Sequence, residues 1–349
     1  MSDFHSLSVS TVKQLTPNSV AISFVIPDHL KNTFSFSAGQ YITINKEING
    51  VVLRRAYSIS SVPTAHKITV GVKKVTDGTF SVYANDSIKE GDILEVMPPE
   101  GRFVFEPSNS EKHIAAFAAG SGITPMMSIA QTVLESHLNS TFVLVYGNQS
   151  PEETMFLDEI EALQKKYTNR FFVQYVYSRT QEEGALFGRI EKATVNYIIK
   201  NKFKETLFDA FYLCGPEEMI NLVSNTLSEA EIAKDKIHFE LFTATDTVDT
   251  MAEELDGKTK VNVVVDDETF SLTMDKKMLI LDAVLKENID APYSCQGGVC
   301  SSCIARVTEG KAEMVKNQIL TDGEIEEGLI LTCQAHPTTP TIKVDFDDV

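Results

Sequence analysis

Apolar and polar positions alternate in short runs over the first hundred residues: Val20 to Ile26, Tyr41 to Asn45, Val51 to Ser60 and Lys67 to Val72, each bounded by turn residues. A period of two turns one face of each run inward and the other outward, which predicts an antiparallel barrel or sandwich. After Pro107 the rhythm changes. A continuous apolar run, His113 to Ala119, predicts a buried strand, then a glycine loop, then a helix from about Pro125. Strands at Thr141 to Tyr146, Arg170 to Tyr177, Asp209 to Leu213 and Ile237 to Phe242 follow, spaced by helical segments, the pattern of a parallel sheet with crossover helices. Ser150-Pro151-Glu152-Glu153 predicts one of those helix starts, with a capping box and proline at the first position.

The stretch Thr243 to Lys258, TATDTVDTMAEELDGK, carries five acids and few large apolar residues, as a solvated linker should. A third unit begins near Thr259, with a hairpin predicted from Lys260 to Val265 and Thr269 to Met274 and an amphipathic helix from Leu279 to Asn288. The expected domains are therefore 1–108, 109–242 and 259–349, with 243–258 as linker. At 349 residues the chain is too long for one ordinary core, which agrees with such a division.

Charge and the start of the chain narrow the setting. Lys and Arg number 31 against 49 Asp and Glu, a net charge of −18 that disfavours nucleic acid and suits a basic partner. The opening MSDFHSLSVSTV lacks the basic flank and apolar stretch of a secretory signal, and the most apolar region is broken by Gly120, Ser121, Gly122, Thr124 and Pro125, so neither export nor a membrane span is expected. The expected compartment is the cytoplasm, where thiols stay reduced and clustered cysteines act as ligands. The seven histidines form no metal-ligand spacing.

Three of the five cysteines, Cys295, Cys300 and Cys303, stand at C-x4-C-x2-C, and Cys333 follows in LTCQAHP. Four thiolates at that spacing fit a 2Fe-2S cluster; a structural zinc site usually presents two C-x2-C pairs instead. Gly297, Gly298, Ser301 and Ser302 allow the backbone to bend round such a cluster and aim N–H groups at its sulfurs. The segments DAPYSCQGGVCSSCIARVTEG and LTCQAHP resemble a plant-type ferredoxin domain, which implies a β-grasp α+β fold and one-electron transfer.

Upstream, Arg55-Ala56-Tyr57-Ser58 and then Gly78-Thr79-Phe80-Ser81 lie in the barrel. An R-x-Y-S motif followed by G-x-x-S, ahead of an α/β domain, resembles the ferredoxin-NADP reductase superfamily. The resemblance implies an FAD site, with FMN as the alternative. Arg55 would neutralise the pyrophosphate, Tyr57 pack along the ring system and Ser58 hydrogen-bond its reactive nitrogen; Ala56, Val70, Val72 and the 78–81 turn would line the rest. The loop Gly120, Ser121, Gly122, Ile123, Thr124, Pro125, with Asn148 at a second strand end and Cys214, Gly215, Pro216 and Met219 at a later one, is similar to the family's pyridine-nucleotide site. Cys214 would sit beside the nicotinamide, although a buried strand cysteine is the plainer reading. Ser178 and Arg179 resemble a 2′-phosphate site, favouring NADPH with NADH as the alternative; an exposed loop arginine is again the plainer reading. Gln149 departs from the family, many members of which carry a basic residue there.

The order barrel, nucleotide domain, ferredoxin domain resembles the reductase components of bacterial oxygenase systems. CQGGVCSSC, LTCQAHP and the VDFDD tail fit the phenylacetyl-CoA epoxidase branch; a reductase of another ring or steroid hydroxylase is the alternative. Ser58 and Cys214 are the expected catalytic residues, Cys295, Cys300, Cys303 and Cys333 the metal ligands, and an oxygenase component the protein partner.

Overall fold

The computed structural model describes residues 4–65, 67–242, 249 and 251–349; part of the expected linker, residues 243–248 and 250, and also His66, lie outside them. The chain condenses into two compact units, one holding His5–Leu53 and Tyr57–Phe242, the other built chiefly on the C-terminal hundred residues.

The first unit begins with a six-stranded antiparallel sheet: β1 (His5–Thr16), β2 (Ser19–Val25), β3 (Tyr41–Ile48), β4 (Val51–Ser58), β5 (Lys67–Lys73) and, after helix α1 (Thr79–Asp86), β6 (Ile93–Val96). Its order is β4-β3-β6-β1-β2-β5, and an antiparallel bridge from Ile59 to Val70 joins the two edges into a barrel. Leu7, Val9, Val20, Ile22, Ile42, Ile44, Val70 and Val72 fill its core. The sequence pattern marks no strand at β1, whose Ser and Thr positions mask the inward Leu7 and Val9.

A second sheet follows within the same unit: β7 (His113–Ala119), α2 (Ile123–Ser136), β8 (Thr141–Asn148), α3 (Leu157–Lys166), β9 (Phe171–Tyr177), β10 (Leu186–Phe187), α4 (Lys192–Asn196), β11 (Ala210–Cys214), α5 (Glu217–Glu229) and β12 (Ile237–Glu240). The strands are parallel in the order β10-β9-β8-β7-β11-β12. The chain reverses direction across the sheet at β7, so the glycine loop leaving β7 lies at the topological switch point, where such folds bind ligands. One predicted helix start moves. Pro151–Glu153 makes only a short 3-10 turn without a side-chain cap, and α3 begins after Phe156, whose left-handed backbone (φ 59°) breaks the path between them. Barrel and nucleotide sheet share one core, in which Ala21, Ala38, Phe103 and Phe105 pack with Ile114, Met126, Ile129 and Phe142.

The second unit holds α6 (Met251–Glu254), β13 (Lys258–Val265), β14 (Glu268–Asp275), α7 (Ile280–Lys286), β15 (Ile304–Glu309), β16 (Ala312–Met314), α8 (Asp322–Glu326), β17 (Leu329–Leu331), β18 (Ala335–Pro337) and β19 (Thr341–Asp345). A mixed sheet, β14-β13-β19-β15-β17, packs on α7, and β16 pairs with β18. The β13–β14 hairpin turns through Asp266 and Asp267, both at positive φ, and their amides donate to the Asp347 carboxylate at 3.0 and 2.8 Å. Those bonds hold a conformation that non-glycine residues adopt reluctantly. Among the described residues no helix is long and apolar enough to cross a membrane.

Candidate functional site

Strand pairing explains how a distant cysteine joins the triplet. β15 starts directly after Cys303 and pairs with β17, Ile304 opposite Leu331, so Thr332 and Cys333 arrive beside Cys303. Thr332 locks that approach: its amide and its hydroxyl both donate to the Cys303 carbonyl, at 3.1 and 2.9 Å. The four sulfurs converge. Cys295 is hydrogen-bonded by Cys300 and then Cys333, and by the Gly297 and Val299 amides, which hold its thiol well below the ordinary range against the opposing effect of burial. Cys303 is drawn down likewise by Cys333, while Cys300 and Cys333 are pushed up. The Gly297 amide lies 3.3 Å from Cys295 Sγ, as expected of a loop that aims N–H groups at sulfur. Gly298 has φ +71°, and a Cβ there would stand 2.7 Å from the Gln334 side chain, so a larger residue would be strained and would displace Gln334. Four sulfurs offering charge inward, met by backbone donors, fit a 2Fe-2S cluster.

At the barrel, β4 delivers Tyr57 and Ser58. Tyr57 packs on Phe80 with ring centroids 5.6 Å apart, and Phe80 belongs to α1, whose first turn is Thr79–Ser81 after the Gly78 cap. Helix N-terminal amides lack intrahelical acceptors, which suits a phosphate. Ser81 has a closer duty, since its hydroxyl accepts from the Val75 amide at 3.1 Å and closes the turn. Arg55 is exposed and donates to the Arg54 carbonyl at 2.7 Å. Val70 and Val72, expected to line the flavin, are instead fully buried in the barrel core.

The nucleotide side meets the barrel at Ser58. Its hydroxyl donates to Glu240 Oε2 at 3.0 Å, and Glu240 ends β12 in register with Cys214 at the end of β11. Three strand ends from two sheets thus share one point. Glu240 is half-buried as a residue but its carboxyl is enclosed, and burial pushes it up to about 8, a rise that the Ser58 bond limits. Cys214 is fully buried, and its thiol is raised by burial and then by Glu240. The group is therefore largely uncharged at neutral pH, with a carboxyl able to give or take a proton in a water-poor setting. Glu240 is missed by the sequence pattern; its signal is an acid inside the otherwise apolar run IHFELF.

The glycine loop fits against this point. A Cβ on Gly122 would lie 2.0 Å from the Cys214 carbonyl oxygen, so only glycine lets the loop pass. Ile123, Thr124 and Pro125 are buried and seat α2, starting it two residues earlier than predicted, while Gly120 and Ser121 stay partly accessible. Lys73, unnoticed in the sequence, brings its ammonium within 3.7 Å of the position of a Gly120 Cβ, a positive charge suited to a pyrophosphate. The Gly215 and Met219 pair packs under Ala119, with Pro216 capping α5. Farther along the sheet edge, the Ser178 and Arg179 amides donate to the Asn148 and Gln149 carbonyls at 3.0 and 2.9 Å, which groups Asn148, Ser178 and Arg179 at one strand end. The Asn148 amide is buried beside the Tyr146 hydroxyl, and Arg179 is exposed. A glycine-only passage at the switch point fits a bound nucleotide.

Comparison with known proteins assigns the domains. Residues 6–105 match the oxidoreductase FAD-binding domain, 117–225 the oxidoreductase NAD-binding domain and 263–338 the 2Fe-2S iron-sulfur cluster binding domain. The chain is 36% identical to one of the subunits of 1,2-phenylacetyl-CoA epoxidase from Escherichia coli strain K12, covering 99% of both chains. It is 33% identical to the ferredoxin reductase component of 3-ketosteroid-9-alpha-monooxygenase from Rhodococcus rhodochrous, covering 97% of this chain and 96% of that one. Among solved structures, phthalate dioxygenase reductase aligns with a TM-score of 0.63 at 22% identity over 98% of both chains. An intact type IV self-sufficient cytochrome P450 monooxygenase aligns with a TM-score of 0.72 at 20% identity, and this chain spans 41% of its length. With FAD-binding, NAD-binding and 2Fe-2S domains in one chain and full-length relatives of this kind, the protein belongs to the family of flavin and iron-sulfur oxidoreductases that serve as reductase components of oxygenase systems.

Proposed function

We propose that the chain takes electron pairs from NADPH and passes them singly to an oxygenase acting on a coenzyme A thioester, as the 36% full-length identity to the epoxidase component suggests. The observation that carries the redox reading is the meeting of Ser58, Cys214 and Glu240 at the glycine loop. Bound at these sites, nicotinamide, flavin and a 2Fe-2S cluster would supply hydride donation, its conversion into single electrons and one-electron carriage. The chain's own residues do the rest. Ser58 offers a hydroxyl at the reacting edge, Glu240 holds a proton there, and the buried walls keep water from competing. Cys295, Cys300, Cys303 and Cys333 hold the cluster. Arg179 favours NADPH, since an exposed guanidinium beside Ser178 suits a phosphate. Reduced ligand thiols agree with a cytoplasmic setting.

Acid is concentrated toward the acceptor end: from residue 243 onward there are 21 acids against 9 bases, or −12 of the −18. The loop 293–304 has no charged side chain. Charge of that kind steers a basic partner while a neutral patch makes the contact. The decisive experiment pairs the purified, cofactor-loaded protein with two acceptors, a phenylacetyl-CoA epoxidase complex and a 3-ketosteroid hydroxylase. Product formation from NADPH with the first alone is expected; turnover with the second alone would overturn the thioester assignment in favour of the steroid branch suggested by the 33% identity.

A further inference from the structure

The strand that leads to Ser178 and Arg179 carries a buried amide with three partners. Gln174 stands in β9 and is 5% exposed. Its side-chain nitrogen donates to the carbonyl oxygens of Gly184 at 3.1 Å and Tyr175 at 3.2 Å, and its oxygen accepts from Lys202 Nζ at 2.9 Å. An ammonium can only donate and a carbonyl can only accept, so these neighbours leave the amide one orientation. Lys202 itself is exposed, at the end of the π-helical turn Tyr197–Lys202.

Gly184 belongs to the excursion between β9 and β10. The outgoing limb is fixed where the Ser178 and Arg179 amides meet the Asn148 and Gln149 carbonyls, and the return is fixed where the Gly188 amide meets the Tyr177 carbonyl at 2.9 Å. Between them the Ala185 amide bonds back to the Glu182 carbonyl, inside the excursion. Among the described residues the Gln174–Gly184 bond is therefore what ties residues 180–185 to the sheet. Only an amide serves here. A glutamate at 174 could accept from Lys202 but would set two carbonyl oxygens against a carboxylate, and a leucine would make no bond at all.

We propose that Gln174 is a positioning residue for nucleotide selectivity: its amide, oriented by Lys202, holds the excursion at Gly184 and so keeps the Arg179 guanidinium ready for the 2′-phosphate. This rests on the reading of Arg179 as the phosphate contact. Arg179 is the last residue of the outgoing limb fixed to the sheet, so slack in 180–185 begins at its own carbonyl. A loop already ordered gives up less entropy when a ligand binds, and that advantage falls to a ligand that reaches Arg179. A nucleotide without the 2′-phosphate gains nothing from it.

The test uses the protein with its cofactors bound and two probes, 2′,5′-ADP and 5′-AMP, whose binding is followed by calorimetry. Gln174→Glu is expected to weaken 2′,5′-ADP about fivefold, the scale of one hydrogen bond, and to raise the KM for NADPH to match, while 5′-AMP binding and the KM for NADH hold. Lys202→Glu changes only an exposed side chain; its carboxylate draws the amide N–H groups toward itself and turns the oxygen onto Gly184, so the same selective loss is expected. Lys204→Glu, a charge change on a neighbouring exposed lysine, should leave the selectivity in place. If Gln174→Glu does not fold, Lys202→Glu decides. Equal weakening of both probes, no weakening in either variant, or an equal loss in Lys204→Glu would overturn the positioning role. Arg179→Ala separates the two claims. If it leaves 2′,5′-ADP binding intact, the phosphate contact falls and the positioning role with it; if it removes the preference while Gln174→Glu and Lys202→Glu keep it, the positioning role alone fails.

Discussion

The candidate cluster site and the proposed hydride site are built in opposite ways. Three of the four cluster sulfurs come from nine consecutive residues, 295–303, and one strand pairing adds the fourth. Ser58, Cys214 and Glu240 come from β4, β11 and β12, 182 residues apart between Ser58 and Glu240, in two sheets joined by a common core. A local loop sets its ligands by short-range backbone geometry. The hydride site needs both sheets to be folded before any of its members meet.

That contrast is sharpest at Cys333. Cys333→Ser is expected to abolish the cluster while leaving reduction of the flavin by nucleotide intact, because the two sites occupy different compact units. Iron and sulfide content, with stopped-flow flavin bleaching, checks both halves, and a slowed flavin reduction would erase the separation. At the other site, Ser58→Ala should slow flavin reduction by about ten- to a hundredfold, the scale of a hydrogen bond of ~1.5–3 kcal/mol to a charged or developing charge, with the cluster spectrum unchanged.

Arg179→Ala gives a smaller and more selective effect. Loss of a guanidinium–phosphate contact should raise the KM for NADPH by about tenfold and barely move that for NADH; equal shifts would return Arg179 to the status of an ordinary surface arginine. Salt probes the acceptor end. Transfer to the partner should slow severalfold as ionic strength rises past about 0.1 M, where the screening length is near 10 Å, while NADPH-to-flavin reduction follows a different salt profile. A flat inter-protein rate would leave the acidic excess as a matter of solubility.

The smallest effect is on stability. Glu240 is raised to about 8 in the fold from an ordinary 4.5, so between those values the folded protein binds more protons than the unfolded chain. Stability must then fall as pH rises from about 4.5 to 8. Glu240→Gln removes this contribution, and its melting temperature relative to wild type should climb across that window in the protein stripped of flavin and nucleotide. A difference independent of pH would place the carboxyl in solvent.

Much of this was legible beforehand, and the misses follow a rule. Alternation with period two marked the barrel strands β2 to β5, and continuous apolar runs marked the parallel sheet. The cysteine spacing picks out four thiols that the fold brings together, because a cysteine-rich loop is a local object. The helix at Ser150 was misplaced because Phe156 turns left-handed, a choice made by packing of its buried ring rather than by the capping signal before it.

What the sequence determined by itself is therefore local: periodicity, glycine at tight passages, and thiols at ligand spacing. Only the tertiary structure decided that Glu240 faces Ser58, that Lys73 reaches the glycine loop, and that Asp249 meets His336. In each case a charged or polar group is given its role by a partner far away in the chain. Burial shifts the protonation of Glu240, and that burial does not exist until the strands that supply it have paired.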